Sequence, residues 1–131
     1  MKGIADTGFL VAFLNRRDAH HAWARALAET VESPLLTVEA VLAEAAFHVG
    51  SVEAVMKIIT AGLIQLDFQL DANLQRVQTL AKRYADRSPD LADLCLICLS
   101  EQNPKRPILT VDSDFLIYRR HQREHIPVVM P

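Results

Sequence analysis

Short apolar runs alternate with longer segments of helical periodicity along the whole chain of 131 residues. The apolar runs have the length of strands, and alternation of strands with helices is typical of a parallel sheet covered by helices. We therefore predict one α/β domain, residues 1–131, with a central, mostly parallel sheet of about five strands and helices on both faces. The predicted strands cover residues 2–5, 35–37, 63–68, 108–111 and 127–130, and the predicted helices lie near 7–14, 18–32, 38–49, 51–61, 71–86, 90–102 and 113–122.

Residues suited to helix termini support several of these boundaries. Ser88 stands before a proline that would take the first helical position, and Asp71 and Ser113 can cap the helices that they open. Gly50 and Gly62 follow predicted helix ends, where a left-handed backbone is often required. Ligands on sheets of this kind bind beyond the carboxyl ends of the strands, so the residues that follow each strand are the ones to inspect.

Composition by itself gives little support to nucleic-acid binding. The chain has 14 lysine and arginine residues against 16 aspartate and glutamate residues, a formal net charge of −2, whereas nucleic-acid binders are usually strongly basic. No segment approaches the roughly 18 consecutive apolar residues of a membrane span, so we expect no membrane association. Cys95 and Cys98 lie in an apolar run and are expected to be buried thiols, which fits a reducing cytoplasm.

Acidic residues cluster where the predicted topology would bring strand ends together. Asp6 directly follows the first predicted strand and Asp112 the fourth, and the carboxyl ends of parallel strands meet at one edge of a sheet. Asp90 and Asp93 stand in the first turn of the helix before the fourth strand, and Glu44 lies on the helix after the second. The helices around this edge could therefore bring all five carboxylates close to one another.

Each of these residues also has a purely structural interpretation. Asp90, Asp112 and Asp114 lie at helix N-termini, where a carboxylate caps free amides and suits the helix dipole. Asp90 and Asp93 share one arc of their helix with Ser100 and Glu101, and that arc could be the solvated side of an otherwise buried helix. Taken singly, each carboxylate fits a structural role.

Taken together, the carboxylates favour a metal site. Several carboxylates at one sheet edge repel each other and raise some of their pKa values, which destabilises the fold unless a cation is present. Mg²⁺ or Mn²⁺ prefers such hard oxygen ligands, and it can activate water and stabilise charge on a phosphate. The sequence has no cluster of cysteine and histidine with the spacing of a zinc site.

The order of these motifs along the chain resembles the PIN-domain family, and more narrowly its VapC-like toxins from type II toxin–antitoxin systems. The match runs through nearly the whole chain, and Asp-Leu-Ala-Asp and Thr-x-Asp-x-Asp-Phe are its most specific parts. Its motifs are Asp6-Thr7; Asn15-Arg-Arg-Asp18-Ala-His20-His21 with Trp23; Thr37-Val-Glu-Ala-Val-Leu-Ala-Glu44; Ser88-Pro-Asp90-Leu-Ala-Asp93; Leu109-Thr-Val-Asp112-Ser-Asp114-Phe115; Tyr118-Arg119; and Ile126-Pro-Val-Val-Met-Pro131.

This resemblance implies a PIN-like fold and assigns roles to the acidic residues. The family's catalytic and metal-binding quartet falls on Asp6, Glu44, Asp93 and Asp112, of which Asp6 and Asp93 are expected to be direct metal ligands. The cofactor would be Mg²⁺ or Mn²⁺. Auxiliary residues that would position these ligands or a water are Thr7, Asp90, Ser113 and Asp114.

The resemblance also implies a function and partners. It implies an endoribonuclease that cleaves structured RNA, forms a homodimer in the cytoplasm, and is inhibited by an antitoxin protein that covers the active site. Arg16, Arg17, Arg119 and Arg120 could form a rim of cations that contacts RNA phosphates. Ordinary solvated surface explains these arginines equally well. The adjacent histidines at positions 20 and 21 could supply a general base, but they begin an amphipathic helix and more readily face solvent or cap it.

Other functions fit the sequence less well. A PIN nuclease of RNA processing, without an antitoxin, would have the same residues, and only the neighbouring gene would distinguish it. A degenerate PIN domain that only binds proteins would have lost quartet positions, whereas all four are present here. An aspartyl phosphatase would require a second aspartate two residues after Asp6, where this chain has Gly8. A phospho-acceptor receiver would require an acidic pair in the first loop, and that pair is missing.

Overall fold

The strands of the protein are short, and five of them form the predicted parallel sheet. The computed structural model describes residues 1–131 and contains β1 (Ile4–Ala5), β2 (Leu35–Thr37), β3 (Ile64–Leu66), β4 (Ile108–Leu109), β5 (Arg119–Arg120), β6 (Glu124–His125) and β7 (Val128–Val129). The central sheet has the order β3-β2-β1-β4-β7, and every neighbouring pair in it is parallel. This arrangement confirms the predicted fold class.

Six α-helices connect and cover the strands. They are α1 (Thr7–Leu14), α2 (His21–Ala28), α3 (Glu39–Val49), α4 (Val52–Thr60), α5 (Leu74–Arg83) and α6 (Leu91–Gln102). Gly50 and Gly62 have φ angles of 78° and 79°, which confirms that they end α3 and follow α4 in left-handed conformations. None of the helices has the length and apolar character needed to cross a membrane.

The helix predicted over 113–122 is wrong. A single 3₁₀ turn covers Ser113–Leu116, and the chain then forms an antiparallel hairpin in which β5 pairs with β6. His121 and Gln122 in its turn have φ angles of 46° and 72°, which a helix does not allow. Phe115 and Tyr118 are three residues apart and both buried, which resembles a helical pattern, but a single 3₁₀ turn places them in the core.

Several predicted helix caps lie elsewhere. Asp71 belongs to a 3₁₀ turn, Leu70–Asn73, and α5 begins only at Leu74. Ser88 has a φ of 48°, and the cap of α6 is Asp90, whose Oδ1 accepts a hydrogen bond of 2.9 Å from the Asp93 amide. The residue that caps the turn after β4 is likewise Asp112 and not Ser113. In both places the aspartate immediately before the first helical residue takes the capping role.

The solvated face considered for α6 does not exist. Every residue from Ala92 to Ser100 is buried, and Asp93 is only 8 % exposed. Cys95 and Cys98 are among the buried residues and are free thiols, as expected. α6 is therefore a central helix of the core, and Asp93 lies inside the protein rather than on a wet surface.

The strand order places Asp6 and Asp112 beside a crevice of the sheet. From β1 the chain continues to β2 and β3 on one side, and it returns to β4 on the other side of β1. Such a switch in strand order opens a crevice at the carboxyl ends of the two central strands. A side chain at Gly8 would place its Cβ 2.3 Å from a methyl carbon of Val111, so glycine lets the first turn of α1 lie against the chain that leaves β4.

Candidate active site

Asp6 lies at the carboxyl end of β1 and begins α1. Its Oδ1 accepts a hydrogen bond of 2.7 Å from the Thr7 amide, and its Oδ2 accepts one of 2.6 Å from the Thr110 hydroxyl. Burial raises the pKa of Asp6 to about 6. The two hydrogen bonds oppose this rise in pKa, and the negative charges of Asp112 and Asp90 add to it. Asp6 is therefore held rigidly in a buried position that disfavours its charge.

Asp93 lies in the first turn of α6 and carries the stronger perturbation. Burial comes first among the causes that raise its pKa to about 8, followed by the charges of Asp90, Asp6 and Asp112. The hydroxyl of Tyr118 donates a hydrogen bond of 3.2 Å to Oδ2 of Asp93 and opposes this rise. No lysine, arginine or histidine forms an ion pair with Asp93.

Glu44 reaches the same edge from α3. The Thr7 hydroxyl donates a hydrogen bond of 3.0 Å to Oε2 of Glu44, which joins the first turn of α1 to α3. Burial raises the pKa of Glu44, and the nearby carboxyl group of Asp90 raises it further. The hydrogen bond from Thr7 lowers this pKa but does not cancel the rise. Asp90 caps α6, so this contact brings the residues of α1, α3 and α6 into one cluster.

Asp112 completes the acidic cluster from the end of β4. Its amide donates a hydrogen bond of 2.9 Å to the Thr110 hydroxyl, and its Oδ1 accepts one of 2.9 Å from the Asp114 amide. Asp114 itself forms an ion pair of 3.5 Å with the guanidinium of Arg87, at the partly exposed rim. Ser113 is exposed, and its side chain makes no hydrogen bond to these groups.

Asp6, Asp93 and Asp112 lie close enough to affect one another's pKa values, and Glu44 is linked to this group through Thr7 and Asp90. None of these four carboxylates has an ion-pair partner in the protein. Carboxylate oxygens are the donors that Mg²⁺ and Mn²⁺ prefer, and the unneutralised charge is what a cation would relieve. No three of these side chains, however, stand close enough to hold a metal ion as they lie. The donor set fits a hard divalent ion that keeps several waters between itself and the protein, as Mg²⁺ usually does.

Two buried hydroxyls that contact the acidic residues were not given a role by the sequence. Thr110 is fully buried and bridges Asp6 to the backbone of Asp112. Tyr118 is fully buried and bonded to Asp93. Both lie in the motifs that resemble the PIN family, which was the available signal, but periodicity does not show which buried hydroxyl points toward a carboxylate.

The four predicted RNA-binding arginines differ in their surroundings. Arg16 and Arg17 are exposed and form no ion pair, so both can contact a polyanion. Nη1 of Arg119 donates to three nearby backbone carbonyls. The prediction for Arg120 is wrong, because this side chain is only 4 % exposed and its guanidinium bonds to Glu124 and to carbonyls within the protein.

The two histidines considered as a general base lie away from these contacts. His20 is exposed, and Nδ1 of His21 lies 2.7 Å from the carbonyl oxygen of Ala12, where it joins α2 to α1. Neither ring hydrogen-bonds to an acidic residue of the site. The structure therefore gives His21 a structural contact and leaves His20 in solvent.

Comparison with known proteins assigns the chain to a family. The family model of the PIN domain matches residues 4–120, and the chain belongs to the PIN-domain family. Among solved structures it is similar to VapC20 of Mycobacterium tuberculosis, described as a toxin that cleaves the sarcin–ricin loop, with a TM-score of 0.73 and 19 % sequence identity. That alignment covers 85 % of this chain and 90 % of VapC20. A sequence search of curated proteins finds no match.

Proposed function

We propose that the protein is a metal-dependent endoribonuclease and the toxin of a toxin–antitoxin pair. The observation that carries this proposal is the group of four carboxylates without a cation at the switch point of the sheet, where Asp6 and Asp93 are nearly completely buried. Membership of the PIN-domain family and the likeness of its fold to VapC20 support the same reading.

Asp6, Asp93, Glu44 and Asp112 would hold Mg²⁺ or Mn²⁺ between them. When bound, such an ion supplies an activated water and stabilises the charge that develops on a phosphate during hydrolysis. The protein's own contribution is to fix the ligands. Thr110 holds Asp6 relative to the end of β4, and Thr7 holds Glu44 relative to α1.

The proposed substrate is RNA, in line with what VapC20 is described to cleave. A metal can neutralise only the phosphate at the cleavage point, so neighbouring phosphates need cationic side chains. The exposed Arg16 and Arg17 can provide them, while Arg119 can do so only if it leaves its backbone carbonyls.

The proposal includes an inhibitory antitoxin and a homodimer. Three exposed apolar side chains, Phe47, Val52 and Met56, lie on α3 and α4. The apolar face of an amphipathic helix can pack against such a surface. A guanidinium from the same partner could pair with the carboxylate cluster through bidentate hydrogen bonds and displace the metal.

Induction of the protein in cells, followed by sequencing of RNA ends, tests the proposed activity. We expect new cleavage ends and slowed growth with the wild-type protein, and neither with Asp93→Asn.

Coexpression of the product of the adjacent gene should restore growth through a stable complex, and Asp93→Asn should still copurify with that product. New RNA ends without toxicity, and without a binding neighbour, would instead support a PIN nuclease of RNA processing. An absence of new ends would favour a PIN domain that only binds proteins.

A further inference from the structure

The Tyr118 hydroxyl is the only hydrogen-bond donor to the Asp93 side chain. It donates to Oδ2 at 3.2 Å, while Oδ1 of Asp93 accepts no hydrogen bond from the protein. Asp6 differs, because both of its carboxylate oxygens accept hydrogen bonds. One oxygen of Asp93 is therefore fixed by the protein, and the other is left for something that the protein does not supply.

Tyr118 is itself held by the packing of its ring and by its backbone, and this arrangement keeps its hydroxyl next to Asp93. The residue is fully buried, and its ring packs edge-on against Tyr84 at 5.0 Å and against Phe115 at 5.3 Å between ring centroids. Its amide donates a hydrogen bond of 3.0 Å to the carbonyl of Asp114. The next residue, Arg119, is fixed by a hydrogen bond of 2.9 Å from its amide to the Tyr84 hydroxyl.

The C-terminal hairpin holds this arrangement against α6. The guanidinium of Arg120 donates to the carbonyls of Ser100 and Pro104, at the far end of the helix that carries Asp93. The chain on the C-terminal side of Tyr118 is thereby tied to one end of α6, while the Tyr118 hydroxyl contacts Asp93 near the other end. No other function of this buried hydroxyl is evident in the fold.

We propose that Tyr118 is a positioning residue that holds Oδ2 of Asp93 and so presents Oδ1 to the divalent cation. This inference rests on the proposed function, because it assumes that the acidic cluster binds a metal. Partners that orient a metal-ligating side chain in this way commonly contribute about 10- to 100-fold to metal affinity or activity. Tyr118 acts through Asp93 and does not itself contact the substrate.

Tyr84 provides a matched control for Tyr118. The two rings pack against each other, both are buried, and each hydroxyl makes a hydrogen bond, but only the Tyr118 hydroxyl contacts a carboxylate. Tyr118→Phe and Tyr84→Phe each remove one buried hydroxyl and leave the ring in place. Both variants should lose comparable stability, which separates general damage to the fold from damage to the site.

The first experiment measures the affinity of RNA-free protein for Mn²⁺. Binding is detected by calorimetry or by the electron paramagnetic resonance signal of the free Mn²⁺. Tyr118→Phe should weaken Mn²⁺ binding by about 10- to 100-fold, whereas Tyr84→Phe should bind as the wild type does. In cleavage assays at saturating metal, Tyr118→Phe should lower kcat and leave KM for RNA unchanged, since Tyr118 touches no substrate.

The second measurement uses the wild-type protein and stays informative if Tyr118→Phe does not fold. The chain contains only 2 tyrosines, Tyr84 and Tyr118, so tyrosine labelled with ¹³C at the Cζ atom gives one resonance for each. Addition of Mg²⁺ should shift the resonance of Tyr118 and leave that of Tyr84 in place. The Tyr84→Phe variant assigns the two signals.

The possible failures are distinguishable. If the wild type binds Mn²⁺ and cleaves RNA, but Tyr118→Phe matches it in both or Tyr84→Phe is equally impaired, the role of Tyr118 is overturned and the proposed function stands. A Tyr118 resonance that does not shift on saturation with Mg²⁺ would likewise overturn the role of Tyr118 and leave the proposed function standing. If the wild type binds no metal at all, the proposed function fails and this inference fails with it.

Discussion

At the C-terminal end of α6, Glu101 accepts hydrogen bonds of 2.9 and 2.6 Å from the guanidinium of Arg76, whereas near the N-terminal end Asp93 faces other carboxylates and no cation. Burial alone would raise the pKa of Glu101, but the bonds from Arg76 and from the His121 amide lower it below its ordinary value. Burial raises the pKa of Asp93, and the neighbouring aspartates raise it further. One helix therefore buries acidic groups in two opposite electrostatic environments.

The difference between the two ends separates a structural site from a functional one. Near Glu101 the second buried charge, Arg120, is also paired, with Glu124 and two backbone carbonyls. Such a network contributes to the fold in the absence of any ligand. The repulsion around Asp93 opposes folding, and a protein retains such an arrangement where a ligand or a reaction needs it. The predictions below test this contrast, in order of decreasing expected effect.

Asp93→Asn should abolish function without harm to the fold. Loss of a metal ligand removes several kcal/mol of transition-state stabilisation, so RNA cleavage should fall by about 100-fold or more. The neutral amide also relieves the repulsion by Asp90 and Asp6, so the metal-free variant should melt at the same or a higher temperature than the wild type. Asp6→Asn should also abolish cleavage, but it should lose some stability, because an amide nitrogen cannot accept the buried hydrogen bond from the Thr110 hydroxyl. A cleavage assay and thermal melts test this prediction, and full activity of either variant would contradict it.

Glu101→Gln should have the opposite result. Glutamine keeps the shape of the side chain but loses the negative charge that pairs with Arg76. It also loses one of the two carboxylate oxygens, and Oε2 accepts from both Arg76 and the backbone N–H of His121. Because the Glu101 side chain is buried and that of Arg76 partly exposed, we expect a loss of about 2 to 3 kcal/mol in the free energy of unfolding. Denaturant unfolding measures this loss. Cleavage per folded molecule should be unchanged, and a large loss of kcat in the folded variant would remove the contrast.

Thr110→Val tests a residue that belongs to both structure and site. Valine keeps the volume but removes the buried donor to Asp6 and the partly buried acceptor of the Asp112 amide. Stability should fall by about 1 to 2 kcal/mol. Mn²⁺ affinity should fall as well, because Asp6 is no longer held at the end of β4. Thr110→Ser, which keeps the hydroxyl, should recover most of the affinity, and a serine variant as weak as valine would show that packing alone matters.

The two ends of α6 should also respond oppositely to pH. The raised pKa values of Asp6 and Asp93, about 6 and about 8 against an ordinary 3.8, stabilise the folded state at low pH, and this contribution is lost as the pH rises through them. The lowered pKa of Glu101 gives stability that is lost only as the pH falls below its ordinary 4.5. The metal-free protein should therefore melt a few degrees lower near pH 9 than near pH 6.

Added Mg²⁺ and substitution of the two acidic residues test the origin of this fall in melting temperature with rising pH. Saturating Mg²⁺ should remove the fall in melting temperature at high pH, and Asp93→Asn should flatten it without metal. Glu101→Gln should leave the alkaline slope as it is. A wild-type protein whose melting temperature rises between pH 6 and pH 9 in the presence of a chelator would contradict the raised pKa values.

Much of the architecture could be predicted from the sequence, because it depends on periodicity and on local signals. The bounds predicted for β2 and α1 agree with the structure residue by residue, and the glycines that follow α3 and α4 have the expected conformation. The hairpin of β5 and β6 could not be predicted in this way. Its turn places two residues that are not glycine, His121 and Gln122, in left-handed conformations, and this leaves no composition signal.

The site was predicted in part for the same reason. Acidic residues that follow parallel strands must share an edge, and this rule alone places Asp6 near Asp112. The environment of a polar side chain depends instead on distant parts of the chain. Arg120 looks like a surface cation until the carbonyls of Ser100 and Pro104 surround it, and the Tyr118 hydroxyl has no visible target until α6 brings Asp93 to it.

Titration of Mn²⁺ into RNA-free protein tests the central claim most directly, namely that the charge near Asp93 is left unpaired in order to bind a cation. Wild type and Glu101→Gln should show the same saturable binding, since the paired end of α6 takes no part in it. Asp93→Asn should show none, although it is at least as stable. Absence of binding by the wild type, or binding that Asp93→Asn does not change, would contradict the account.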